Sequence, residues 1–107
     1  MPTLKVTPTQ YFTQDCGEEC SYTLDVNAEL GAKTVSAVNY SVVDGLGTDV
    51  TDVIGGGSSV TEGIIFFGVK GASKGRFTLT FIVTCSDLLP NGVTPYEFYV
   101  VMCVDII

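Results

Sequence analysis

Two stretches near the C-terminal end of the chain alternate between apolar side chains and polar or β-branched ones. In the first, from Arg76 to Cys85, the alternate positions are Phe77, Leu79, Phe81, Val83 and Cys85. In the second, from Tyr96 to Val104, they are Tyr96, Phe98, Val100, Met102 and Val104. A segment rich in Gly, Pro, Asn and Asp separates the two runs. The pattern predicts a hairpin of two strands, each with one face in the core.

Weaker patterns of the same kind predict further strands upstream. The predicted segments are Ser21–Val26, Thr34–Val43, Val50–Ile54 and Val60–Val69. The last carries four consecutive large apolar residues, which fits a strand covered on both faces. We expect Gly55–Ser59 to be a flexible turn, and Asn27–Gly31 to be a single helical turn and the only helix-like segment.

Short strands separated by turn signals, with no long helix, are typical of an all-β fold, an antiparallel β-sandwich of about seven short strands. The 107 residues suffice for one domain and one core, so we predict a single domain over residues 1–107. Pro8 cannot donate to a sheet ladder, so residues 1–20 are predicted to form an N-terminal arm or an edge strand.

Charge and hydropathy exclude several classes of partner. Twelve acidic residues against five basic ones give a net charge of −7, which opposes binding to nucleic acid. Apolar stretches are interrupted by Gly, Thr and Asp, so no membrane span is expected. The first residues, Met-Pro-Thr-Leu-Lys-Val, do not resemble a signal peptide, so we expect a cytoplasmic origin. Lys70, Lys74 and Arg76 are predicted to share a solvated turn, with contact to an acidic partner as the alternative.

No residue pattern predicts catalysis, a metal or a cofactor, and we expect the protein not to be an enzyme. The chain has no histidine to activate a nucleophile. Asp44, Asp49 and Asp52 lack the spacing of an EF-hand and are interpreted as turn-formers.

The four cysteines do not have the spacing of a zinc site. A disulfide between Cys16 and Cys20 stays open as an alternative to two thiols. Strand parity puts Cys85 and Cys103 on opposite faces, and both are interpreted as thiols.

One order of segments extends over most of the chain: Leu24-Asp25 and Leu30 before a strand at Val35–Val42, Ser58-Ser59-Val60 before Ile64–Val69, Gly71-Ala-Ser-Lys-Gly75 before Phe77-Thr-Leu-Thr, and a last strand at Glu97–Val104. From Asp25 to Ile107 this order resembles the small immunoglobulin-like proteins of tailed bacteriophages known as fibre-tail adaptors. The family usually has a tryptophan in the strand where this chain has Tyr40, and an Arg-Thr-Asp-Glu type segment where it has Thr94-Pro95-Tyr96-Glu97.

The resemblance implies an immunoglobulin-like sandwich and a structural protein of the virion that joins tail fibres to the tail. It also implies no enzyme activity, no cofactor, and multiple copies in a symmetric assembly made in the host cytoplasm. The partners would then be other phage structural proteins of the tail and fibre or of the capsid. The first alternative is a capsid decoration or cement protein, and the second is a carbohydrate-binding or adhesin-like module.

Docking by strand addition or by apolar side chains needs no catalytic group, so the candidate site is a set of possible contact residues. The set is Tyr11, Phe12, Ile64, Ile65, Phe66, Phe67 and Tyr99. Tyr99 is included because alternation places it opposite the core face of the last strand, where an aromatic ring would be exposed.

Overall fold

A computed structural model describes the backbone of residues 3–107 and the side chains of residues 11–107. It contains seven strands: β1 Thr3–Gln14, β2 Glu19–Asp25, β3 Val35–Val43, β4 Gly55–Thr61, β5 Ile64–Lys70, β6 Gly75–Leu88 and β7 Pro95–Ile106. Two single-turn helices, α1 Asn27–Leu30 and α2 Thr51–Ile54, connect strands. Within this part of the chain, no helix is long and apolar enough to cross a membrane.

The strands form two sheets, one of four strands in the order β1-β7-β6-β3 and one of three in the order β2-β5-β4. Apolar side chains between the sheets form one core. This confirms the predicted all-β sandwich. The connectivity is immunoglobulin-like, with the first strand on the four-stranded sheet. That strand, β1, lies at the sheet edge and runs parallel to β7, whereas the other paired strands are antiparallel.

The two alternating stretches became the two central strands of the larger sheet, as predicted. The alternate positions of β6 are buried from Phe77 to Cys85, and those of β7 from Phe98 to Ile106. β3 and β2 also follow their predictions, with Val42 fully buried and Tyr22 and Leu24 packed against the core. The register of β1 shifts between Val6 and Gln10, the interval that contains the predicted strand breaker Pro8.

The predictions for three segments in the middle of the chain were wrong. Val50–Ile54 is not a strand, because α2 occupies Thr51–Ile54. The helical turn predicted at Asn27–Gly31 is therefore not the only helical segment among the described residues, since α2 is a second. The Asp49 carboxylate accepts hydrogen bonds from the Thr51 backbone N–H, at 2.9 Å, and from its hydroxyl, at 2.7 Å. These bonds hold the first turn of α2 and override the strand preference of the β-branched residues.

The glycine-rich segment Gly55–Ser59 is not a flexible turn, because it belongs to β4. The predicted strand Val60–Val69 is instead a hairpin of β4 and β5, which turns at Glu62 and Gly63. Both turn residues have positive φ, 52° and 75°, as a tight two-residue hairpin turn requires. β5 is also not covered on both faces, since Phe66 is 44% exposed.

An aromatic cluster and one buried amide tie the two sheets together. The rings of Tyr40 and Phe81 are stacked at 4.8 Å, and Phe67 of the other sheet meets Phe81 edge-on at 4.9 Å. Gln14, 5% exposed, donates to the Val69 carbonyl and accepts from the Tyr22 hydroxyl. Tyr40 thus packs an aromatic ring of the third strand against the core, as a tryptophan does on the third strand of immunoglobulin domains.

Candidate functional site

The predicted contact residues separate into three places. Phe12, Ile65 and Phe67 point into the sandwich, where Phe12 packs against the core, at a centroid distance of 4.8 Å from Tyr22, and the other two are buried. Tyr11, 65% exposed, and the half-buried Tyr99 lie on the outer face of the four-stranded sheet. Ile64 and Phe66 lie on the outer face of the three-stranded sheet.

The outer face of the three-stranded sheet contains an open depression of about 480 Å³, here called the glycine groove. Its outward lining consists of Glu19, Ser21, Thr23, Gly56, Gly57, Ser59, Phe66 and Gly68, with the carboxylate of Glu19 at one end. Phe66 stands between Thr23 of β2 and Ser59 of β4, its partners in register. The groove therefore combines one accessible aromatic ring with flanking hydroxyl groups.

The groove exists because two glycine backbones approach each other directly. A Cβ atom on Gly56 would lie 2.9 Å from the Cα of Gly68, closer than real side chains come. The register of β4 against β5 shifts between Gly55 and Ser58, and Gly57 within that shift has a φ of 87°. Only glycine accommodates both the close approach and the left-handed backbone of this bulge.

Tyr40 supports the floor of the groove from the core side. Its hydroxyl donates to the Gly68 carbonyl at 3.1 Å, within the shifted register. Burial raises the pKa of Tyr40 well above its ordinary value, so the donating proton is retained. The neighbouring Tyr22 has its pKa raised to about 12, mainly by burial and then by Cys20 and Glu18. The floor is thus fixed by a neutral hydrogen-bond donor.

The groove borders an open sheet edge. β4 is the last strand of its sheet, and the stretch from Gly56 to Ser59 is exposed. The sequence of β4, Gly-Gly-Gly-Ser-Ser-Val-Thr, has neither a charged residue nor a proline. Charges and prolines are the usual devices that keep foreign strands from pairing with an edge. The arrangement can therefore accept an extended peptide along β4, with one of its apolar side chains against Phe66.

The charged candidates serve local turns. The Asp44 carboxylate accepts hydrogen bonds from the backbone N–H groups of Leu46 and Thr48, both at 2.9 Å. The pKa of Asp49 is lowered, chiefly by the hydroxyl of Thr51 and then by its backbone N–H. Among the side chains at positions 11–107, no three His, Cys, Asp or Glu residues are grouped to hold a metal ion. Arg76 does not lie in the predicted basic turn, because it belongs to β6, where it pairs with Asp105.

The cysteines are all thiols in the structure, and strand parity placed two of them correctly. Cys85 is buried on the core face of β6, where burial, followed by the charge of Asp87, raises the pKa of its thiol. Cys103 lies on the opposite, outer face of β7 and is half-buried. The Cys16 thiol is 3.4 Å from the Gly71 carbonyl in the loop that follows β1.

Sequence reasoning found Phe66 but missed the residues that surround it. Ser21 and Thr23 were predicted only as part of a strand, and the glycines only as a turn. The missed signal is the Glu62-Gly63 turn, which would have paired Gly-Gly-Gly-Ser-Ser-Val-Thr with the apolar run as a hairpin.

Comparison with known proteins identifies no relative of this chain. The chain matches no protein-family model, no curated protein and no solved structure.

Proposed function

We propose that this protein is a docking module of a tailed-phage virion, an adaptor that connects tail fibres to the tail. The observation that carries the proposal is the uncharged, proline-free edge of β4 beside the exposed ring of Phe66. The ordered resemblance to fibre-tail adaptors, from Asp25 to Ile107, supports the phage assignment.

Docking proceeds by strand addition at β4. An extended segment of the partner pairs its backbone with the outward N–H and C=O groups of β4, which supplies affinity without dependence on sequence. An apolar side chain of that segment packs on Phe66, which supplies selectivity. Hydroxyls of Ser21, Thr23 and Ser59 then pair with polar groups at the rim of the contact.

The first test locates the protein in the particle that encodes it. Cryo-electron microscopy is expected to show its density between the tail and the fibres, with β4 facing a partner strand. Density on the capsid lattice would show that the protein is a capsid decoration protein rather than an adaptor. Absence from the particle would overturn both assignments.

The second test addresses the docking edge. Ser59→Lys places a charge on β4 beside Phe66, and particles assembled with this variant are expected to lose fibres because a charged edge resists strand addition. Ser73→Lys adds the same charge in the exposed turn between β5 and β6 and is the matched control. Full fibre occupancy with Ser59→Lys would contradict docking at this edge.

A specific observation also supports the carbohydrate-binding alternative. An accessible aromatic ring flanked by hydroxyls is a combination on which a sugar ring can stack and form hydrogen bonds. Binding of the wild type to a glycan array that disappears in Phe66→Ala would favour this function over strand addition.

A further inference from the structure

Three strands of the four-stranded sheet, β3, β6 and β7, have an uncharged centre on their outer face, while Lys5 of the edge strand β1 is in register with Tyr99 of β7. On β3, β6 and β7, three successive rows of outward side chains carry no charge, and Tyr11 of β1 continues the third. These rows, here called the flat face, are Tyr99, Ile82 and Asn39; then Val101, Thr80 and Ser41; then Cys103, Thr78 and Val43. In a chain with a net charge of −7, this is a sheet surface suited to contact with protein rather than to solvation alone.

Charges return only at the two ends of the flat face on these strands. At one end Arg76 of β6 pairs with Asp105 of β7, with Nε to Oδ1 at 2.7 Å and Nη2 to Oδ2 at 3.1 Å. At the other end Glu97 of β7 accepts a hydrogen bond from the Thr84 hydroxyl at 3.2 Å. The Arg76 side chain is 63% exposed and can make further contacts.

The order of the strands makes this arrangement self-complementary. β7 and β6 are the two middle strands of β1-β7-β6-β3, so the midline of the sheet runs between them. A two-fold axis parallel to the strands along that midline lays β7 of one copy over β6 of the other. Each Asp105 then faces the Arg76 of the second copy, and the two ion pairs become a square of alternating charges.

The other face-to-face arrangement is disfavoured by the same charges. A two-fold axis across the strands lays β7 over β7 in opposite directions, which brings Asp105 of one copy toward Glu97 of the other. Like charges facing each other at an interface oppose association. The charge pattern thus selects the axis parallel to the strands, which also places Tyr99 over Ile82 and Tyr11 over Val43.

The size of the flat face predicts the strength of the contact. The contact includes the flat face, its two charged ends and β1: from Glu97 to Asp105 a strand spans about 27 Å, and four strands span about 19 Å, so each copy contributes about 500 Å². The total, about 1,000 Å², lies at the lower end of specific interfaces. We propose that the flat face is a self-association surface that takes a second copy of this chain about a two-fold axis parallel to the strands, as a weak and reversible dimer. This proposal does not depend on the docking edge at β4.

Sedimentation velocity of the full chain over a wide concentration range tests the dimer. The measurement is made at about 150 mM salt, where the general repulsion between two acidic copies is screened but contacting pairs are not. Wild type is expected to shift from the mass of one 11.3 kDa chain toward twice that mass as concentration rises. A wild type that stays monomeric up to about millimolar concentration overturns the proposal.

Two variants test the surface and the axis. Thr80→Lys places two lysines near the axis, and is expected to weaken the dimer at least about tenfold. Thr61→Lys on the outer face of the other sheet is the matched control and is expected to dimerise like the wild type. Dimerisation of Thr80→Lys at wild-type strength would overturn the assignment to this face.

A charge swap tests the geometry even if Thr80→Lys unfolds. Arg76→Asp leaves only acids at that end of both copies and is expected to weaken the dimer by at least about tenfold. Adding Asp105→Arg restores alternating charges across the axis and is expected to restore the dimer. Failure of the swap to restore it, with both variants folded by circular dichroism, would overturn the two-fold arrangement.

Discussion

The two sheets of this sandwich share a core but present different outer surfaces. The four-stranded sheet keeps side chains on alternate positions of β3, β6 and β7, so its outer face is filled and flat. The three-stranded sheet ends in β4, whose first three residues are glycines, so its outer face sinks into a groove beside Phe66. The comparison shows that one backbone architecture yields a flat contact surface or a groove according to where side chains are omitted.

The sheets also differ in what they supply to the core. β6 and β7 each contribute five buried hydrophobic residues, whereas β5 contributes three. Substitutions on the inner side of the four-stranded sheet should therefore act on stability, and substitutions on the outer side of the three-stranded sheet should act on shape and binding.

The largest expected effect sharpens this division. Phe81→Ala removes a fully buried ring that stacks on Tyr40 and meets Phe67, and is expected to cost about 3–5 kcal/mol in the free energy of unfolding. Phe66→Ala on the outer face of β5 is the matched control and should cost less than about 1 kcal/mol. Urea unfolding of both variants measures the difference, and equal losses would remove the distinction between the two positions.

The next effect concerns the groove itself. Gly56→Ala would place a methyl group against the Gly68 backbone, so β4 and β5 must separate locally, at a cost of about 1–3 kcal/mol. Gly45→Ala, at a position where an added Cβ meets nothing within 4 Å, is the control and should change stability by less than about 0.5 kcal/mol. If thermal melts of the two variants coincide, the groove does not depend on the close approach of these glycines.

The sequence predicted the features of the two sheets that depend on neighbouring residues, and it did not predict those that depend on contacts between distant residues. The faces of β6 and β7 followed from alternation alone, because the period of two is a property of the strand itself. The role of Gly56 could not be predicted in this way, because it depends on contact with Gly68, twelve residues away across a hairpin turn that lacks the usual Asn or Asp before its glycine. α2 was missed because the carboxylate of Asp49 outweighs the β-branched residues that follow it.

The candidate surfaces were less predictable than the strands. Phe66 was identified from its apolar run, but the same run included Ile65 and Phe67, which the pleat turns into the core. The flat face combines residues from three strands that are distant in sequence, so its uncharged rows become visible only once the register is known.

A smaller effect links the two sheets through one hydroxyl. Tyr40→Phe removes the hydrogen bond to the Gly68 carbonyl and is expected to cost about 1 kcal/mol near neutral pH. Burial raises the pKa of Tyr40 in the folded protein above its ordinary value of 10.0. The contribution of the Tyr40 hydroxyl to the free energy of unfolding is therefore fully present below pH 10.0 and is lost as pH rises through the folded-state pKa. The wild type should therefore lose stability above about pH 10.

Denaturant unfolding at neutral and alkaline pH measures this loss. Tyr40→Phe should show a shallower alkaline loss than the wild type, although not a flat one, because the pKa of Tyr22 is also raised, to about 12. Identical alkaline slopes in the two proteins would show that Tyr40 ionises as readily in the folded protein as in the unfolded chain.

The smallest effect lies at the end of the flat face. Arg76 lowers the pKa of Asp105, first through the hydrogen bond, so the stabilisation is present above the unfolded pKa and is lost as pH falls through the folded one. Because the pair is exposed, Asp105→Asn should reduce stability only slightly and should flatten the acid limb below about pH 4.

Stability is measured as a function of pH in dilute solution, so that self-association does not contribute. Asp52→Asn, in α2 and on neither face, controls for the loss of one negative charge. An acid limb that keeps its wild-type slope in Asp105→Asn would show that the pair does not contribute to the pH dependence.

The parallel pairing of β1 with β7 gives this fold a mechanical property. Because the two strands run side by side in the same direction, the chain enters β1 at one end of the sandwich and leaves β7 at the other. Tension applied before β1 and after β7 therefore acts along the strands, and loads the hydrogen bonds between them in shear, all together rather than one after another. A domain connected in this way transmits a pulling force along its long axis before its core is exposed.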